Sequence, residues 1–167
     1  MINYFEYFGL PCQYSIDESL LRKLFYKKSM QVHPDQQESD DNHDEASVNN
    51  EAYRILSDKH LRLKHIVEIH TGTIDEHTEK LNPEFLMEMM DLHEEIENAE
   101  SVDEVNVLTT KINDLISSET ESYNNAIQAF DEGNQSETVI FSLRELYFKE
   151  KYFRRMLQYL NREDREM

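Results

Sequence analysis

His33-Pro34-Asp35 sets an imidazole and a carboxylate on either side of a proline. Pro34 fixes its own φ and biases His33 away from helix, so both polar side chains sit on a stiff turn that is preorganised for contact. The tripeptide closes a basic amphipathic segment, Asp17 to Val32, in which Arg22, Lys23, Lys27 and Lys28 carry positive charge. The rest of the chain is strongly acidic: 35 Asp and Glu against 17 Lys and Arg give a net charge of -18. A basic helix and a charged turn on that background suit an acidic protein partner. Binding to nucleic acid is disfavoured because it requires clustered Lys and Arg to release counterions, and an anionic membrane surface is repelled.

The other residues with chemical potential do not assemble into a site. A two-metal bundle centre needs Glu-x-x-His pairs projecting inward, and none occurs; Asp40-Asp41-Asn42-His43 has a similar spacing but lies in an acidic stretch. His60, His65 and His70 are five apart, so they turn around a helix and are expected to be solvated or capping. With three Gly there is no phosphate-cradling loop, so no ATP binding is expected, and no pattern supplies an activated Ser or Cys. The single Cys12 can form neither an intramolecular disulfide nor a Cys-rich zinc site and suits a reducing compartment. The expectation is no catalytic residue, no metal, no cofactor and no enzyme.

Three Gly and three Pro favour long helices with few loops, an all-α fold. Tyr4, Phe5, Tyr7, Phe8 and Leu10 form a short aromatic helix stopped by Gly9 and Pro11. Ser15 or Asp17 caps a second helix with Leu20, Leu21, Leu24, Phe25 and Val32 on its apolar stripe, ending at His33-Pro34. Residues 36–45 hold nothing to bury and read as a solvated loop. One continuous helix is expected from Ala46 through Ala52, Leu56, Leu63 and Ile66 to Thr71-Gly72, packed antiparallel on the second. Asn82-Pro83 opens a helix to Glu100, and Ser101-Val102-Asp103-Glu104 is a capping box opening a long helix toward Phe130. After Gly133-Asn134, Ser136 begins the last helix, with Val139, Leu143, Tyr147, Leu157 and Leu160 on one stripe. The expected organisation is a first domain over residues 1–72, a linker over 73–82 and a three-helix bundle over 83–167. No apolar run approaches the roughly 20 residues of a membrane span, and the start has no signal or transit character, so no membrane association is expected.

Within the bundle, Phe85, Met89, Leu92, Ile96 and Ala99 share a stripe at about 100° per residue and face the core. Leu86, Met87 and Met90 fall off it, beside Asp91, Glu94, Glu97 and Asn98. The alternatives are a helix buried on two sides or an apolar patch rimmed by carboxylates, a common mark of a partner site at which Met adapts readily. Phe141, Phe148 and Tyr152 lie nearly opposite the last helix's stripe and can extend that patch.

The order of short aromatic helix, basic helix, His-Pro-Asp, loop and antiparallel helix resembles the J domain of co-chaperones that stimulate DnaK-type ATPases. Asn50-Glu51-Ala52-Tyr53-Arg54-Ile55-Leu56-Ser57-Asp58 is similar to that family's third-helix signature. The resemblance implies that Asp35 pairs with a basic group on the chaperone, His33 and Pro34 shape the contact, and Arg22, Lys23 and Lys27 meet an acidic patch. Lys59, His65 and Val32 depart from the commoner Pro, Tyr and aromatic residues. Tyr4-Phe5, Phe8-Gly9-Leu10-Pro11 and Phe85-Leu86-Met87-Glu88 extend the resemblance over the whole chain, to the HscB family of iron-sulfur cluster assembly. It implies a DnaK/HscA-type chaperone as one partner and the scaffold IscU as the other, held by Leu86, Met87, Met90, Asp91, Glu94, Asn98 and Phe148. Asn98 replaces an acidic residue and Met90 a Leu. The implied setting is the bacterial cytoplasm, or the mitochondrial matrix for a processed organellar protein. A J protein with another client, a structural helical interaction protein and a carboxylate metalloenzyme are the other readings.

Overall fold

The computed structural model describes residues 1–31, 41–75 and 81–163. All regular elements among them are helices: α1 Tyr4–Phe8, α2 Glu18–Gln31, α3 Asp41–Ser57, α4 Lys59–Thr71, α5 Pro83–Glu97, α6 Val102–Ser122, α7 Asn124–Asp131 and α8 Glu137–Glu163. The chain divides into two compact units, one of Met1–Ile74 with Phe130–Asn134, the other of Asp75–Ala129 with Gln135–Met167.

In the first unit, Asn3 caps α1 by accepting from the Phe5 N–H, and Gly9 ends it in the left-handed region at φ 66°. There the Gly9 and Leu10 N–H groups close back on Glu6 and Phe5 carbonyls, a conformation that a side chain would strain. Phe5 and Phe8 are buried. Asp17 caps α2 by accepting from the Ser19 and Leu20 N–H groups at 2.9 and 3.0 Å. α2 and α3 run antiparallel: Phe25 stacks on Tyr53 with centroids 4.4 Å apart, and Ser29, one turn on, accepts from Asn49, one turn back, at 2.9 Å. Asn49 is 2% exposed, so this polar clasp sits inside the interface.

The single helix expected from Ala46 to Thr71 is two. Asp58 is extended (φ -93°, ψ 124°) and its side chain accepts from the Leu61 N–H, starting α4 afresh. The apolar period continues across this break, so periodicity alone does not reveal it; the N-cap aspartate does. The acidic stretch also becomes helical from Asp41, earlier than expected, since acidic residues are favoured at a helix N-terminus by the dipole.

Polar groups organise the unit as much as its apolar core does. Arg62, 1% exposed, donates from Nε to the Leu56 carbonyl at 2.7 Å and from Nη1 to the Tyr14 carbonyl at 2.6 Å. Asp131 accepts from the Tyr14 N–H at 2.6 Å and the Ser15 N–H at 3.1 Å, while its carbonyl accepts from Gln13 Nε2. His65, 3% exposed, accepts at Nε2 from the Tyr4 N–H, the first donor of α1, at 3.1 Å, and stacks under Phe5. Of the histidines expected to be solvated or capping, His65 caps α1 from another helix, while His60 is buried rather than solvated.

In the second unit α5 and α6 each pack on α8. Asn82 caps α5 with Pro83 in its first turn, and the Ser101–Glu104 capping box opens α6 with both halves formed. Phe85, Met89, Leu92 and Ile96 are buried, and Phe85 meets Phe153 edge-on at 5.5 Å. Lys149 and Glu119 form a half-buried ion pair at 2.6 Å between α8 and α6. The long helix expected from Ser101 toward Phe130 breaks at Tyr123, which ends α6 (φ -95°, ψ 7°) before α7 begins.

His65 makes the first unit pH-sensitive. Burial holds its pKa below the ordinary imidazole value, so the folded state favours the neutral ring that accepts from Tyr4. Its stability contribution is complete above the ordinary pKa and is lost as pH falls through it toward the depressed folded value. We expect urea midpoints to be higher at about pH 7.5 than at about pH 5.5, on either side of the usual histidine range. The difference should shrink in His65→Gln, which can accept the same bond without titrating.

Candidate functional site

Most of the candidate site residues that the structure describes fall on two helices, α2 and α5. On α2, burial of Leu21 and half-burial of Leu24 and Phe25 turn Arg22, Lys23 and Lys27 to solvent. None of the three has an ion-pair partner among the described residues. Lys28, read from the sequence as part of the same charge, is half-buried with Nζ 4.1 Å from the centroid of the Tyr7 ring. Leu20, expected on the buried stripe, is 42% exposed and joins Tyr26 and Met30, at 57% and 74%, on the outer face. That mixture of exposed aromatic, thioether and cations was not apparent from the charge pattern alone. His33, Pro34 and Asp35 lie outside the described residues.

On α5, Met87 is 66% and Met90 72% exposed, Leu86 is half-buried, and Asp91, Glu94 and Asn98 are exposed. A helix buried on two sides is therefore excluded for Met87 and Met90. Asn98 is the C-cap: its N–H and its Nδ2 both donate to the Glu94 carbonyl, at 3.1 and 2.8 Å. A carboxylate at that position could not make the second bond, so the amide that departs from the family pattern is used to close the helix.

Phe148 does not join this surface. It is 1% exposed, edge-on to Tyr147 at 5.1 Å, with the cations of Arg144 and Lys151 5.8 and 6.0 Å from its ring centroid. The expectation of an exposed Phe148 assumed one buried stripe on α8, but Leu146, Phe148, Phe153 and Met156 are buried beside Leu143, Tyr147 and Leu160. A helix buried over most of its circumference has no free apolar side to read from periodicity. Phe141 is the exposed aromatic of α8 at 61%, and Tyr152 is half-buried edge-on to Phe85 at 6.0 Å.

Comparison with known proteins gives this arrangement a family. Residues 3–65 match the DnaJ domain and residues 81–161 the HSCB C-terminal oligomerisation domain. A curated relative from Azoarcus sp., named co-chaperone protein HscB homolog, is 30% identical over 157 residues, covering 89% of this chain and 88% of its own length. The chain belongs to the HscB family. A Vibrio cholerae HscB homolog is 35% identical over 104 residues, so the match spans 58% of this chain and 61% of that relative. The solved structure of chaperone HscB from Vibrio cholerae superposes with a TM-score of 0.76 at 25% identity, covering 99% of this chain and all of its own. In HscB terms, α1–α4 form the J domain and α5, α6 and α8 the helical C-terminal domain. Among the described residues no group of His, Cys, Asp and Glu could hold a metal ion, and no helix is long and apolar enough to cross a membrane.

Exposure on α5 separates neighbours in sequence, which stability measurements can read. By chemical denaturation, Met90→Ala should change stability by less than about 0.5 kcal/mol, the range for exposed positions. Met89→Ala, one residue away and 4% exposed, should cost about 2–5 kcal/mol. Phe148→Ala should cost about 3–5 kcal/mol, a loss expected of a core ring.

Proposed function

We propose that this HscB chain is a co-chaperone that stimulates ATP hydrolysis by a DnaK/HscA-type chaperone and delivers an IscU-type scaffold to it during iron-sulfur cluster maturation. The observation that carries the reading is the pairing, in one chain, of an exposed cationic face on α2 with a face on α5 where Met87 and Met90 are exposed beside half-buried Leu86. The chaperone supplies the ATPase site. This chain contributes contact: Arg22, Lys23 and Lys27 steer an acidic surface into place, and His33, Pro34 and Asp35 then engage it as the trigger. The scaffold is held by the thioether and leucine side chains of α5, with Asp91 and Glu94 orienting its charged groups. Asn98 completes that contact through its end of the helix. The setting is the bacterial cytoplasm, and no nucleic acid, membrane or cofactor takes part.

Steady-state ATP turnover by the chaperone tests the trigger: the wild-type chain should raise it, and His33→Gln or Asp35→Asn should return it to the basal rate. A wild-type chain that leaves turnover unchanged rules the reading out. Calorimetry with the scaffold tests the second face. Leu86→Ala combined with Met90→Ala should weaken binding about tenfold or more, the scale of a hot-spot loss, while stimulation by the chain alone persists.

A further inference from the structure

α5 and α6 are joined by the short turn around Glu100 and both pack on α8, which leaves a groove open between them. Its volume is about 750 Å³, and its lining includes Asp91, Glu94, Ala99, Asp103, Val107 and Leu108. Leu108 is 8% exposed and forms floor; Val107, 67% exposed, stands at the rim. The adjoining groove along the outer face of α6 shares Val107, so an apolar line runs from the end of α5 along α6 toward Leu115.

Of the carboxylates along the first groove, two are occupied. Glu95 bonds Lys111 at 2.8 Å through one oxygen, and Glu104 accepts from the Glu100 and Ser101 N–H groups in the capping box. Asp91, Glu94 and Asp103 have no cationic partner among the described residues. Three anions without a cationic side-chain partner therefore stand around an apolar floor, continuous through Asp91 and Glu94 with the Met87–Met90 face.

We infer that this groove binds a basic segment of the same client that docks on α5, an extended or helical stretch carrying Lys or Arg and one aliphatic anchor seated against Val107 and Leu108. The inference rests on the proposed client reading and extends it to α6. Charge complementarity selects the occupant: a second copy of this chain, with a net charge of -18, would bring like charge against like. A segment that is cationic as well as apolar instead neutralises Asp103 and Asp91 while covering Val107.

The test is calorimetric titration of the intact chain with the iron-sulfur scaffold at low and at high salt, using Asp103→Lys and Val107→Asp, two exposed positions whose substitution should leave the fold intact. Each should weaken scaffold binding about tenfold, and Asp103→Lys should flatten the salt dependence, as expected for loss of an interfacial charge pair. Stimulation of the chaperone by the chain alone should not change. If both variants bind like wild type while Leu86→Ala with Met90→Ala does not, the groove is no part of the interface and the inference is overturned with the client reading intact. If the wild-type chain fails to bind the scaffold, both fall together. Sedimentation showing a dimer that Asp103→Lys dissociates would assign the groove to a second copy and overturn it as well.

Discussion

The packing of Phe85, Met89, Leu92 and Ile96 against α8 fixes the rotation of α5 about its own axis. A helix repeats its direction every 3.6 residues, so burying that row obliges Met87, Met90, Asp91 and Glu94 to point elsewhere. The proposed recognition face is thus the geometric complement of the core. The edge-on contact of Phe85 with Phe153 sits at the start of the row and ties the first turn of α5 to α8, the longest helix among the described residues. A slip of one residue would rotate α5 by about 100°, bringing Met90 and Leu86 inward and carrying the buried row toward solvent.

The J domain obeys the same rule with different means. α2 buries little of itself, so its orientation rests on Phe25 against Tyr53 and on the Ser29–Asn49 clasp, and the cations are left outward as the remainder. Polar groups then hold the connecting segments: buried Arg62 takes the Tyr14 and Leu56 carbonyls, and half-buried Asp131 takes the Tyr14 and Ser15 amides. Each such group is costly to leave unpaired, which makes the geometry specific rather than merely compact. Asp131 belongs to this unit in space although it comes late in the chain, because Phe130–Asn134 packs within it.

Much of this was legible in the sequence where one stripe met one core. The buried α5 row follows from spacing, exposure of Met87 and Met90 was one of the two readings that spacing left open, and the caps at Asp17, Asn82 and Ser101 announce their helices. Legibility failed where the physics is not periodic. The breaks at Asp58 and Tyr123 leave the apolar spacing undisturbed, so periodicity does not mark them; the N-cap aspartate marks the first and a backbone torsion the second. Phe148 was misplaced because α8 is buried widely, and its burial depends on neighbours distant in sequence. His65 gave no local sign of its bond to Tyr4, 61 residues earlier. Leu20 was assigned inward because α2 is shallowly packed, a property of its neighbours.

Two faces on two units make a device only if their partners act together. On the proposed reading, a client held on α5 and a chaperone engaged through α2 are brought to one another by a single chain, so the chain's effect should exceed that of either contact alone. The most direct measurement is the single-turnover rate of ATP hydrolysis by the chaperone with chain alone, scaffold alone, and both. The account predicts that the increase with both is greater than the sum of the separate increases, and that Leu86→Ala with Met90→Ala reduces it to that sum. Strictly additive rates with the wild-type chain would contradict it.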